Sequence, residues 1–94
     1  MKKAKGRQFH KVDTAQAEIV GALRLCGALV HSTAPLGHGF PDLVVWGNNR
    51  LWLLEVKTGK GRLTPEEVEF QKKWPVDIVR SAEEAIELIW GVRG

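Results

Sequence analysis

Between Phe40 and Lys57 the chain reads FPDLVVWGNNRLWLLEVK, two runs of strand-forming apolar residues with three charges, Asp42, Glu55 and Lys57, set inside them. A charge carried into a buried strand is strongly disfavoured unless it is paired, so the turn between the runs must supply partners. Asparagine tolerates positive φ, and with Asn48 and Asn49 as the two central residues of a tight hairpin, Asp42 falls directly opposite Glu55. A turn centred on Gly47-Asn48, also a good hairpin pair, would put Leu53 there instead. The Asn48-Asn49 register is preferred because it alone gives the charges partners.

In that register two carboxylates share one face with Cβ atoms about 4.5–5.5 Å apart, a repulsive arrangement in a sheet. Lys57, two residues beyond Glu55, lies on the same face roughly 7 Å along the strand. A hard divalent cation such as Mg²⁺ relieves that repulsion, since it takes oxygen ligands and keeps waters for substrate phosphates.

The chain has 94 residues, 44% of them hydrophobic and 27% charged, which fits one small globular domain. So small a domain gains from a second copy, and a homo-oligomer, most simply a dimer, is expected. The net charge is only +3, but it is unevenly spread. Lys2, Lys3, Lys5, Arg7 and Lys11 crowd the start, and Lys60 and Arg62 follow Lys57 closely. Basic segments beside a carboxylate cluster suit a polyanion held through its phosphates, although a basic start also reads as a solvated tail.

Cys26 is the only cysteine, which excludes an intrachain disulfide and points to a reducing, cytoplasmic setting. It is expected to pack as a small core hydrophobe. No apolar run is long enough to span a membrane, and no apolar segment of a secretory signal follows the basic start.

Residues 1–12 lack periodicity and read as a flexible basic tail, leaving a single domain over 13–94. Asp13 with Gln16 forms a capping-box pattern, and the apolar spacing predicts a helix over 14–25. Glu18 lies at the edge of its apolar stripe, either facing solvent or reaching the carboxylate cluster. A short strand over 28–33 precedes a loop whose glycines would let a nucleic-acid backbone approach closely. His38 in that loop is either a surface residue or a contact to a phosphate or water.

The hairpin is apolar on both faces, which predicts a strand pair covered on both sides. Thr64-Pro65-Glu66-Glu67 opens a second helix with a capping threonine and proline at its first position; Gln71 faces either the site or solvent. A strand over 76–79 and a helix opened by Ser81 complete the chain. The order is helix, three strands, helix, strand, helix, which makes an α/β fold with a mixed central sheet flanked by helices.

Pro41-Asp42 followed by Glu55-Val56-Lys57 resembles the PD-(D/E)xK motif of the restriction-endonuclease-like nuclease superfamily. Gly39-Phe40-Pro41-Asp42 before the hairpin and Lys57-Thr58 through Gly61-Arg62-Leu63-Thr64 after it look like the VRR-NUC family in particular, whose small single-domain members occur in phages and bacteria. The likeness covers about Glu18 to Trp74. It implies hydrolysis of a DNA phosphodiester with Mg²⁺ or Mn²⁺, and a restriction-endonuclease-like αβββαβ core. Asp42, Glu55 and the Val56 carbonyl would hold the metal, and Lys57 would orient water and stabilise charge on the phosphorane.

Glu18 matches a first-helix glutamate that such nucleases often place beside the metal. The chain departs from the family at Glu67, where a glutamine is common, with Gln71 one turn later. A homodimeric endonuclease acting on branched DNA such as a Holliday junction is the leading expectation, and a nucleic-acid-binding module without catalysis is the alternative.

Overall fold

The hairpin closes as its asparagines require. Asn48 and Asn49 hold φ at 53° and 62°, the left-handed geometry that both central positions of a type I′ turn demand. Gly47 then pairs with Arg50, and the register runs on through Leu43 opposite Leu54, so Asp42 comes opposite Glu55. The turn is also tied down from outside: the Asn48 amide donates to the Ile89 carbonyl at 2.9 Å.

The computed structural model describes residues 11–91, with side chains from Thr14 onward. Lys3, Lys5 and Arg7 therefore lie outside the described residues, as does the side chain of Lys11. The elements are α1 (Lys11–Leu25), β1 (Leu29–Ser32), a 3-10 turn at Ala34–Leu36, β2 (Leu43–Gly47), β3 (Arg50–Val56), α2 (Pro65–Gln71), β4 (Val76–Val79) and α3 (Ala82–Trp90). The sheet order is β1-β2-β3-β4. The first two pairings are antiparallel and the last is parallel, so α2 is the crossover between neighbouring strands.

The expected α/β class with a mixed sheet is thus the observed one, but three details differ. Asp13 is not a cap, because α1 already includes it, and the boundary expected at residue 12 falls inside that helix. Cys26 is exposed rather than buried, since it lies in the turn after α1, on an exposed stretch that runs from Arg24 to Gly27. By the described residues, the sheet is covered fully on one side only.

That covered side holds Leu43, Val45, Trp52, Leu54 and Val56, packed with Ile19 and Leu23 of α1 and Ala85 and Ile89 of α3. On the opposite side Leu29, Trp46 and Leu51 remain 70%, 47% and 58% exposed. Apolar residues on both faces therefore do not mean two covering layers here. Among the described residues the only helix on the second side is α2, and its seven residues are too few to cross the sheet.

Both later helices start by side-chain capping. Thr64 and Glu67 form a reciprocal capping box, which satisfies amide groups that a helix start leaves unpaired. At α3 Ser81 accepts from the Glu84 amide, while the Glu84 carboxylate reaches back to the Arg80 amide rather than that of Ser81.

Candidate active site

Asp42 precedes β2, Glu55 is near the end of β3, and Lys57 follows it, so the hairpin register brings all three to one end of the sheet. Several backbone contacts fix their positions. Thr33, just beyond β1, donates its amide to the Asp42 carbonyl at 2.7 Å and its hydroxyl to the Pro41 carbonyl at 2.7 Å. Asp42 Oδ2 accepts from the Val56 amide at 2.9 Å. The Lys57 amide donates to the Val79 carbonyl at 3.1 Å, extending the parallel pairing past β3.

The side chains of Glu55 and Lys57 point to the side of the sheet opposite the core, and α2 meets them there through Glu67. Lys57 Nζ lies 2.8 Å from Glu67 Oε1 and 3.4 Å from Glu55 Oε2. Glu67 Oε1 also accepts from the Thr64 amide at 2.9 Å. One residue therefore caps its helix and holds the site lysine. The sequence assigns Glu67 to the cap; only the docking of α2 brings its carboxylate to the cluster.

Two packing contacts seat α2. Gly39 has φ of +83°, and a Cβ built there would stand 2.5 Å from the Glu66 carbonyl oxygen. The glycine's lack of a side chain thus admits the first turn of α2, while Gly37 in the same loop meets nothing within 4 Å. Phe40 meets Phe70 edge-on at 5.2 Å between ring centres.

Electrostatics follow from this geometry. Glu55 is only 2% exposed; burial, the neighbouring Asp42 charge and a hydrogen bond to Glu67 push its carboxyl up to about 8. Burial and these neighbours thus favour its neutral, protonated form. Burial also raises Asp42, a rise that the Val56 amide and the Glu55 hydrogen bond only partly offset. Burial works the same way on Glu67, but hydrogen bonds from Lys57 and the Thr64 amide outweigh it and hold Glu67 low. Burial would lower Lys57, yet Glu67 and Glu55 hold its ammonium above the ordinary lysine value.

Not every expected residue joins the cluster. Glu18 is exposed on α1 and makes no hydrogen bond or ion pair with Asp42, Glu55 or Lys57. Gln71 is half-buried on α2 and likewise bonds to none of them. His38 is exposed in the loop, with φ of 55°, and lines a groove with Phe70 and Trp74 rather than touching the carboxylates. Lys60 and Arg62 are exposed on the turn directly after Lys57.

Arg80 has a part that the sequence alone does not signal. It follows β4 beside the Lys57 backbone, and its guanidinium donates to the Gly59 carbonyl at 2.9 Å, bracing the turn that carries Lys60. Thr33 is similarly invisible in sequence, because its role depends on β1 pairing with β2. Among the described residues no group of three or more histidine, cysteine, aspartate or glutamate side chains converges closely enough to hold a metal.

No protein-family model, curated protein or solved structure matches this chain.

Chemically, the cluster pairs a buried carboxyl, a second carboxylate and an ammonium beside a basic turn. The two carboxyls disfavour ionising together, and an oxygen-seeking cation with its own waters would remove that conflict. Asp42 and Glu55 are the two oxygen donors that such an ion would use, with Glu67 bound to Lys57.

Proposed function

We propose that this chain is a metal-dependent DNA endonuclease of the VRR-NUC type on a restriction-endonuclease-like core. The observation that carries the reading is the convergence of Asp42, Glu55 and Lys57 at one end of the central hairpin. Asp42 and Glu55, with the Val56 carbonyl, would hold Mg²⁺ or Mn²⁺, which polarises a phosphoryl oxygen and lowers the pKa of a bound water. Glu55 must lose its proton to serve, so loading and deprotonation are coupled.

Lys57 supplies a fixed cation for negative charge developing on the phosphoryl group. Glu67 positions that cation. Lys60 and Arg62 on the adjoining turn, held in place through Arg80, provide phosphate contacts, and Lys3, Lys5, Arg7 and Lys11 add sequence-independent attraction. A homodimer acting on branched DNA belongs to the same proposal, since two symmetric sites suit a two-stranded cut.

The test is cleavage of labelled four-way junction, splayed-arm, duplex and single-stranded DNA with Mg²⁺ or Mn²⁺, comparing wild type with Lys57→Ala. Metal-dependent cutting that falls about 10²–10³-fold in the variant is the expected result. The second reading, a binding module without catalysis, is favoured by the 2.8 Å ion pair that engages Lys57 with Glu67. DNA binding without cutting in either metal would select it.

A further inference from the structure

On α2 and the loop before Asp42, the segments that also carry Glu67 and Asp42, lies a groove of about 370 Å³ lined by His38, Glu66, Glu69, Phe70, Lys73 and Trp74. We infer that it is a stacking platform for an unpaired nucleobase next to the scissile phosphate, an inference that rests on the nucleic-acid reading above and names the substrate class: DNA with single-stranded character at the site.

The aromatic rings are arranged as a stack with one free end. Phe40 holds Phe70 edge-on, and Phe70 lies nearly parallel to Trp74, at 18° and 5.7 Å between ring centres. Trp74 is nonetheless 54% exposed. The half-exposed indole presents a flat face that another ring can cover, and every nucleobase has a π-face that can do so. The backbone under the indole is fixed: the Trp74 amide donates to the Phe70 carbonyl at 3.1 Å, and its carbonyl accepts from the Val76 amide at 2.9 Å.

Continuity with the cluster sets what the platform is for. Phe40 stands two residues before Asp42 and Phe70 three residues after Glu67, so the same two segments carry both the stack and the carboxylates. From Glu67 to Trp74 the chain advances about 10 Å at helical rise, within reach of a neighbouring nucleotide.

Charge distinguishes base from backbone. Glu66 and Glu69 disfavour a phosphate inside the groove, and Lys72 already pairs with Glu69 at 2.8 Å. Lys73 and His38 provide donors for a base edge. A neutral flat ring fits such a site better than a sugar-phosphate backbone.

The experiment is fluorescence anisotropy, without metal, of labelled oligothymidylate and of blunt duplex of equal length, for wild type, Trp74→Ala and Trp74→Phe. Trp74→Ala should weaken oligothymidylate binding about five- to a hundredfold, the worth of one stacked base, and change duplex binding less than about twofold. Trp74→Phe should retain most of the affinity, which a merely structural role of the indole would not explain.

The proposal is overturned if wild type does not bind oligothymidylate, if Trp74→Ala binds it as wild type does, or if both ligands weaken equally. Loss of self-association in Trp74→Ala on size exclusion, with binding intact, would likewise overturn it and make a second copy the occupant. Because binding is read without turnover, the two readings fail separately. A protein that grips oligothymidylate through Trp74 but cuts no DNA loses the nuclease assignment alone; one whose cutting is lost in Lys57→Ala while Trp74→Ala binds normally loses the platform alone.

Discussion

The last two helices are both short and both start by side-chain capping, yet they are held by different physics. α3 buries Ala85 and Ile89 in the core, whereas α2 buries no residue at all. α2 is seated by the Lys57–Glu67 ion pair, the Phe40–Phe70 ring contact and the close approach at Gly39. The difference teaches how the two sides are held: burial of apolar area fixes one side of the sheet, whereas one ion pair, one ring contact and one close approach hold a helix over the side that carries the site.

Removing core volume should produce the largest effect. Leu54→Ala, at a position with no exposure, is expected to cost about 2–5 kcal/mol in chemical denaturation, a large share of a small domain's stability. A cost under about 1 kcal/mol would mean that the core side is not what holds the fold together.

Glu55 sharpens the contrast through pH. Its folded pKa is about 8 against an ordinary 4.5, so the folded state holds a proton that the unfolded chain releases. The associated stability is fully present below about pH 4.5 and is lost as pH rises through about 8. Asp42, also raised, acts in the same direction. Glu55→Gln should therefore stabilise the metal-free protein above pH 8 by a few kcal/mol and leave it little changed at pH 5, as read by thermal unfolding at both values. An unchanged pH dependence in the variant would show that Glu55 is not the group being deprotonated.

Glu67→Ala removes the reciprocal cap and the partner of Lys57 together. About 1–2 kcal/mol is expected, and amide exchange should rise in α2 while α3 stays protected. Equal loss of protection in both helices would erase the distinction between them. Gly39→Ala, strained by its positive φ and crowded by the Glu66 carbonyl, should loosen α2 in the same exchange experiment. Trp74→Ala is the smallest: its half-exposed indole leaves stability within about 0.5 kcal/mol, so its binding defect can be read on a folded protein.

The hairpin and its register were legible in the sequence because their causes are local. A two-residue Asn-Asn turn selects left-handed φ, and the alternation of a strand then forces Asp42 opposite Glu55. The capping of α2 at Thr64 and of α3 at Ser81 is likewise written in four consecutive residues. Element order and the mixed sheet follow from where the apolar periods change.

Which side of the sheet was covered was not legible, since Val44, Trp46, Leu51 and Leu53 look as buried by composition as their neighbours. Nor does local sequence show that Cys26 faces water, that Gly39 admits a helix, or that Glu67 rather than Glu18 or Gln71 meets Lys57. Thr33 and Arg80 brace the site through backbone carbonyls that come near only after distant strands pair.

The sequence by itself determined the turn, the register, the helix starts and therefore the meeting of Asp42, Glu55 and Lys57, because each is set by dihedral preference and periodicity over a few residues. The tertiary structure decided the placement of α2, the third carboxylate, the protonation of Glu55 and the aromatic groove. Those depend on contacts between segments far apart in the chain, where burial and close approach, rather than local conformation, select the outcome.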